Sequence, residues 1–119
     1  MITKRHIILS IILFVAGVVH LVTPEVFLPA MPKFIPFHIE LIYLTGVLEI
    51  IFAILLLIKR FTSLMSTLIG IYFILLLPIH IYVSIYNIPM FGVSSSTFLW
   101  GRTIFQFYFI HWAFSLKIQ

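Results

Sequence analysis

LIYLTGVLEIIFAILLLI, residues 41–58, is an apolar run holding one charge, Glu49. As a helix it would rise about 1.5 Å per residue, so the run is about long enough to cross the hydrocarbon core of a bilayer, with the carboxylate near its middle. A charge at that depth costs at least a few kcal/mol, so such residues face a bundle interior or a wet cavity and mark function. Glu49 therefore locates a site before anything is known of its chemistry.

The rest of the chain fits the same solvent. Hydrophobic residues make up 63% of the 119 and charged residues only 8%, too apolar for a soluble domain and too short for more than one. Four apolar segments, about 6–23, 39–58, 64–86 and 99–116, have the length of a spanning helix. They are apolar on every face, without the period of two that barrel strands need. The expectation is an all-α fold: a four-helix transmembrane bundle forming a single membrane domain, 1–119.

The formal charge of +4 is a topology signal rather than a nucleic-acid footprint, because the basic residues cluster at segment ends. Lys4, Arg5, Lys59, Arg60 and Lys117 fall on one side; Lys33 and Arg102 belong to the other. The positive-inside rule then puts both termini in the cytoplasm, with the protein in a bacterial cytoplasmic membrane. A cleaved signal peptide is the competing reading of the first segment, but Val15 to His20 offers no small-x-small cleavage site. Cysteine is absent, which excludes a disulfide framework or a thiol relay on this chain.

The first outer connection, about 24–38, carries Pro24, Pro29, Pro32 and Pro36 among large apolar residues. Thr23, Pro24 and Glu25 read as N-cap, first helical residue and first-turn acid of a short helix ending before Pro32. Two readings stay open: a lid over a site, or a greasy loop against lipid headgroups. The second outer connection, Asn87 to Phe98, reads as turn chemistry.

Helical spacing sorts the intramembrane polar groups. Gly46, Glu49 and Ala53 share a stripe of small residues, and Ala16 and Gly17 lie one turn before His20, so both stripes suit close helix approach. Ser63, Ser66, Thr67 and Gly70 read as further helix packing. His80, Ser84 and Asn87 form a polar stripe beyond Pro78, whose missing N–H frees a carbonyl. Arg102 and Gln106 are four residues apart on one face. Turned inward, these faces would gather Glu49, Arg102, Gln106, His80 and His20 in a small outward-opening pocket.

Each residue also has a plainer role. His20 could be a satisfied hydrogen-bonding residue, and Glu49 could form a structural ion pair with Arg102, their Cα atoms lying roughly 10 Å apart along the membrane normal. His6 and His111 read as interfacial anchors, and His38, Glu25 and Glu40 as solvated outer residues. His20, His80 and Glu49 lack local metal-ligand spacing, so no metal is expected; nor does the chain show a haem face, phosphate loop or nucleophile elbow.

Gly17-Val18-Val19-His20 with Pro24 and Phe27, Met31-Pro32 before Phe34-Ile35-Pro36, and Tyr43-Leu44-Thr45-Gly46-Val47-Leu48-Glu49 resemble small DoxX-like membrane proteins. Pro78-Ile79-His80-Ile81-Tyr82, and Arg102 with Gln106 before Trp112-Ala113, resemble later motifs of that family, although His80 replaces an expected Asn and Thr103 departs from the usual neighbourhood. The resemblance covers nearly the whole chain. It implies a four-helix bundle associated with quinone-linked redox complexes, or a membrane chaperone or assembly factor acting on a client protein. The leading expectation is a redox-associated subunit that takes a quinone in the outward pocket, with no covalently bound cofactor. Arg102 and His80 would bind ligand oxygens, Gln106 would orient them and Glu49 would exchange protons. A non-catalytic assembly factor is the second expectation. A small-solute or proton transporter, which would need a homo-oligomer, is the third.

Overall fold

The computed structural model describes residues 2–117; Met1, Ile118 and Gln119, the ends of the expected 1–119 domain, lie outside the described residues. The fold is all-α: α1 (Lys4–Val22), a 3-10 helix (Pro24–Ala30), α2 (His38–Leu56), α3 (Thr62–Ile85) and α4 (Ser96–Ser115). Boundaries shift by a few residues from expectation. α2 stops at Leu56, leaving Lys59 and Arg60 in the turn, and α4 starts at Ser96, where the extended Ser95 accepts the Leu99 N–H at 3.0 Å. Pro78 sits inside α3 without ending it, as membrane helices allow when neighbours re-satisfy the freed backbone.

α1, α2 and α3 are long and apolar enough to cross a membrane; α4, with Arg102, Gln106 and His111, is not apolar enough on that measure. Of the four segments expected to have spanning character, three are shown to have it.

α1 packs along α2 and α3 along α4, with thinner contact between the two pairs. In an apolar solvent helices are held by close packing and hydrogen bonds rather than by burial alone, and these helices show both. A Cβ on Gly17 would lie 2.6 Å from the Gly46 carbonyl oxygen, and one on Gly46 would lie 2.7 Å from the His20 Cβ. The Ser10 hydroxyl donates to Ala53 O at 2.8 Å, and the Ser66 hydroxyl donates to Ala113 O. Gly70 makes room for the Phe114 ring. Between α3 and α4 the Thr103 and Ser84 hydroxyls meet at 2.7 Å, and Ser84 donates to Leu99 O at 3.0 Å.

At the end holding both chain termini, His6 is buried rather than anchored at an interface. The Thr3 N–H donates to its Nδ1 at 3.0 Å, so Nε2 carries the ring hydrogen and donates to Leu116 O at 2.9 Å. Arg5 Nη2 donates to the Ser115 hydroxyl at 2.6 Å beside it. These bonds tie the start of α1 to the end of α4. Replacing His6 with phenylalanine keeps a ring but strands the Leu116 carbonyl and the Thr3 N–H; a loss of about 1–3 kcal/mol is expected in detergent unfolding titrations. An unchanged midpoint would remove the clip from the account.

Two apolar clusters fill the interior. One, near the termini, includes Leu9, Leu13, Leu56, Ile69 and Ala113; the other, at the far end, is built from Ala30, Val83, Met90 and Leu99. The site lies between them.

Candidate functional site

A cavity of about 390 Å³ opens between the helix pairs beneath the proline-rich segment, and His20, Glu49, His80, Arg102 and Gln106 all line it. All five residues singled out in the sequence thus meet one cavity, because the small-residue stripes bring α1 against α2 while the hydroxyl contacts set α3 against α4. Most of the remaining wall is apolar, including Leu13, Ile42, Leu76, Ile79 and Phe109. The volume falls within the range of small-molecule sites, roughly 300–1,000 Å³.

Glu49 is 4% exposed. Its Oε2 accepts a 2.5 Å hydrogen bond from the Tyr72 hydroxyl, a length typical of O–H to carboxylate. Its Oε1 is buried with no hydrogen-bond partner. The nearest cationic candidate is His20, whose Nδ1 lies 3.6 Å from Oε1. That nitrogen is 2.6 Å from Ala16 O. A carbonyl only accepts, so the Nδ1 hydrogen is committed to Ala16 and leaves Oε1 open.

The alternative Glu49–Arg102 ion pair is not formed: among the described residues the basic side chain within ion-pair distance of the carboxylate is His20, which carries charge only when protonated. Arg102 instead lies half-buried over the rings of Phe91, at 5.8 Å from the centroid, and Phe98, at 6.0 Å. Cation–π contact holds its guanidinium at these rings while leaving its N–H donors uncommitted to any carboxylate. Gln106 donates to Phe73 O at 2.8 Å, which fixes its side chain. No three His, Cys, Asp or Glu side chains among the described residues come together as a metal-ligand group.

The proline-rich segment covers the site. Its 3-10 helix starts at Pro24 as expected, but the Thr23 hydroxyl donates back to Val19 O at 3.1 Å rather than capping forward. This turns Phe27 over the cavity, where its ring stacks on His20 with centroids 3.8 Å apart and planes 10° from parallel. Phe27 also meets Phe91 edge-on at 5.7 Å. Phe91 belongs to the second connection and adopts φ 54, a left-handed conformation that costs a bulky residue on the order of 1–2 kcal/mol; its contacts with Phe27 and Arg102 offset that cost. With Met90 1% exposed inside the far cluster, this connection does more than turn the chain.

The polar stripe expected on α3 divides. His80 lines the cavity, Ser84 bonds α4, and Asn87 is exposed, its side-chain oxygen accepting from Ser96 at 3.3 Å. Tyr72 was missed by the sequence reading, although it lies four and eight residues before Leu76 and His80 on the same face of α3, a spacing that could have found it. For Phe91 no sequence signal exists, because its role depends on where two loops meet.

A family model described as Domain of unknown function (DUF8561) matches residues 9–117. No curated protein and no solved structure matches the chain. The family match overturns the resemblance to DoxX-like proteins, and the redox association and client role that came with it lose their basis. The shared motifs have a simpler origin: glycines at Gly17 and Gly46 are demanded by the helix contact, and Pro24 suits a first helical position in any fold.

Proposed function

The chain belongs to the DUF8561 family, and for this member we propose an integral membrane bundle that binds an apolar, quinone-sized small molecule in the cavity beneath the proline-rich segment. In this reading all four helices cross the bilayer and both termini face the cytoplasm. A 20-residue α4 is about 30 Å long. Its Thr103 and Gln106 are buried toward α3, and Ile104, Phe105 and Phe107 are exposed on its outer side. The clustering of Lys4, Arg5, Lys59, Arg60 and Lys117 at the ends of the apolar segments supports the orientation.

The observation that carries the reading is Glu49, which lines a largely apolar cavity and whose buried Oε1 has no hydrogen-bond partner. Most buried polar atoms in native folds are satisfied, and a functional role is one reason for an exception. A bound molecule whose polar head reaches Glu49 and whose body fills the apolar wall satisfies it. Arg102 and His80 lie on the same cavity to bind further ligand oxygens, and Gln106, tied to Phe73 O, is a fixed part of the wall.

The test uses a short-chain quinone and its quinol added to the purified protein. Saturating ligand should raise thermal stability, by about 2.7 kcal/mol at a hundredfold excess over Kd. Leu76→Trp, which fills the cavity from α3, should keep the folded state and abolish the shift. If neither form shifts the wild type up to its solubility limit, and solvent extraction of the membrane-purified protein yields no apolar molecule, the binding reading fails.

A further inference from the structure

The partners that Glu49 already has, and the one it lacks, specify the ligand's chemistry. Oε2 takes the Tyr72 hydrogen at 2.5 Å, while Oε1 has none, because the nearby His20 Nδ1 gives its hydrogen to Ala16 O. With Glu49 ionised, what is missing at Oε1 is a donor. At Arg102, which lines the same cavity, the reverse holds: the guanidinium has only N–H donors and meets rings rather than a carboxylate. The wall between is mostly apolar.

We infer that the ligand is a hydroxyl-bearing apolar molecule, an alcohol or phenol, whose O–H donates to Glu49 Oε1 while a second, acceptor oxygen faces Arg102. The inference rests on the binding reading above and narrows it: the site takes the hydroxyl form of such a compound in preference to its ketone, quinone or ether form. A carbonyl or ether oxygen at Oε1 would place two acceptors together and leave the buried carboxylate oxygen unsatisfied. Tyr72 is then a positioning residue. It holds Oε2 of a carboxylate that lines the cavity, so Oε1 is the oxygen left for the ligand.

The probes are the monohexyl ether of hydroquinone, which carries a phenolic O–H and a para ether oxygen, and the same compound with the hydroxyl methylated. Their apolar area is nearly equal, and they differ in the donor. A charge-assisted hydrogen bond is worth about 1.5–3 kcal/mol, so calorimetric titration of the wild-type protein in nanodiscs should show the phenol binding at least about tenfold more tightly. In Glu49→Gln the preference should fall below about threefold, since the amide no longer presents a charged acceptor. Equal affinity of the two probes for wild-type protein overturns the hydroxyl assignment while leaving an occupied pocket. Failure of both probes to bind overturns the pocket as well. The wild-type comparison needs no substitution, so a poorly folding variant does not protect the claim.

Discussion

Glu49→Leu is expected to weaken binding of the phenol probe at least about tenfold and, by stranding the buried Tyr72 hydroxyl, to cost about 1–3 kcal/mol of stability, whereas the Glu49→Leu, Tyr72→Phe double variant is expected to be about as stable as the wild type. Replacing both partners of a buried polar pair by apolar groups is often neutral or stabilising, whereas removing one leaves the other uncompensated. Tyr72→Phe alone acts in the same direction as Glu49→Leu alone: it strips the 2.5 Å bond from Oε2 and leaves both carboxylate oxygens bare, a cost of about 1–3 kcal/mol. Unfolding titrations of the four proteins form a double-mutant cycle, and the coupling should be between about 0.5 and 3 kcal/mol. If instead Glu49→Leu unfolds the bundle and the double variant does not recover it, the carboxylate is structural and the ligand reading loses its support.

The second large effect concerns the α1–α2 contact that sets Glu49 and His20 in place. Gly46→Ala puts a methyl 2.7 Å from the His20 Cβ and 3.0 Å from the Gly17 carbonyl oxygen, and neither backbone nor Cβ can swing aside as a flexible side-chain end can. Overpacking of this kind costs about 1–3 kcal/mol. Gly46→Leu is expected to prevent the helix pair from closing, with loss of probe binding and of a cooperative unfolding transition. Gly101 supplies the control. It lies within α4, yet a Cβ there meets nothing within 4 Å, so Gly101→Ala should stabilise by about 0.4–1 kcal/mol through helix propensity and lost unfolded-state freedom. One chemical change thus has opposite signs at two helical glycines. Equal effects at both would refute the close-approach account.

Much of this was legible before the fold was known. The apolar runs and their lengths require helices, because lipid offers the backbone no other partner. The glycine and alanine stripes beside Glu49 and His20 locate the closest helix contact. The inward faces of Arg102, Gln106 and His80 follow from helical period alone, and all three line the cavity. His6 shows the limit: a histidine beside Lys4 and Arg5 looks interfacial, and only the return of α4 to the same end, bringing the Leu116 carbonyl within 2.9 Å, makes it a buried clip. The DoxX-like motifs show another limit, since residues required by packing in any small helical bundle do not discriminate between families.

Sequence by itself determined that the chain is all-α, where its helices run and which side chains share a face, since these depend on local periodicity and on the cost of exposing backbone to an apolar medium. Only the tertiary structure decided which polar groups are already satisfied. Arg102 lies over Phe91 and Phe98 and not on Glu49, His20 spends its hydrogen on Ala16, Tyr72 takes one carboxylate oxygen and the other is left open. Hydrogen bonding acts over about 3 Å with narrow angles, so partner choice depends on how helices distant in sequence are rotated and spaced, which no pattern along the chain encodes.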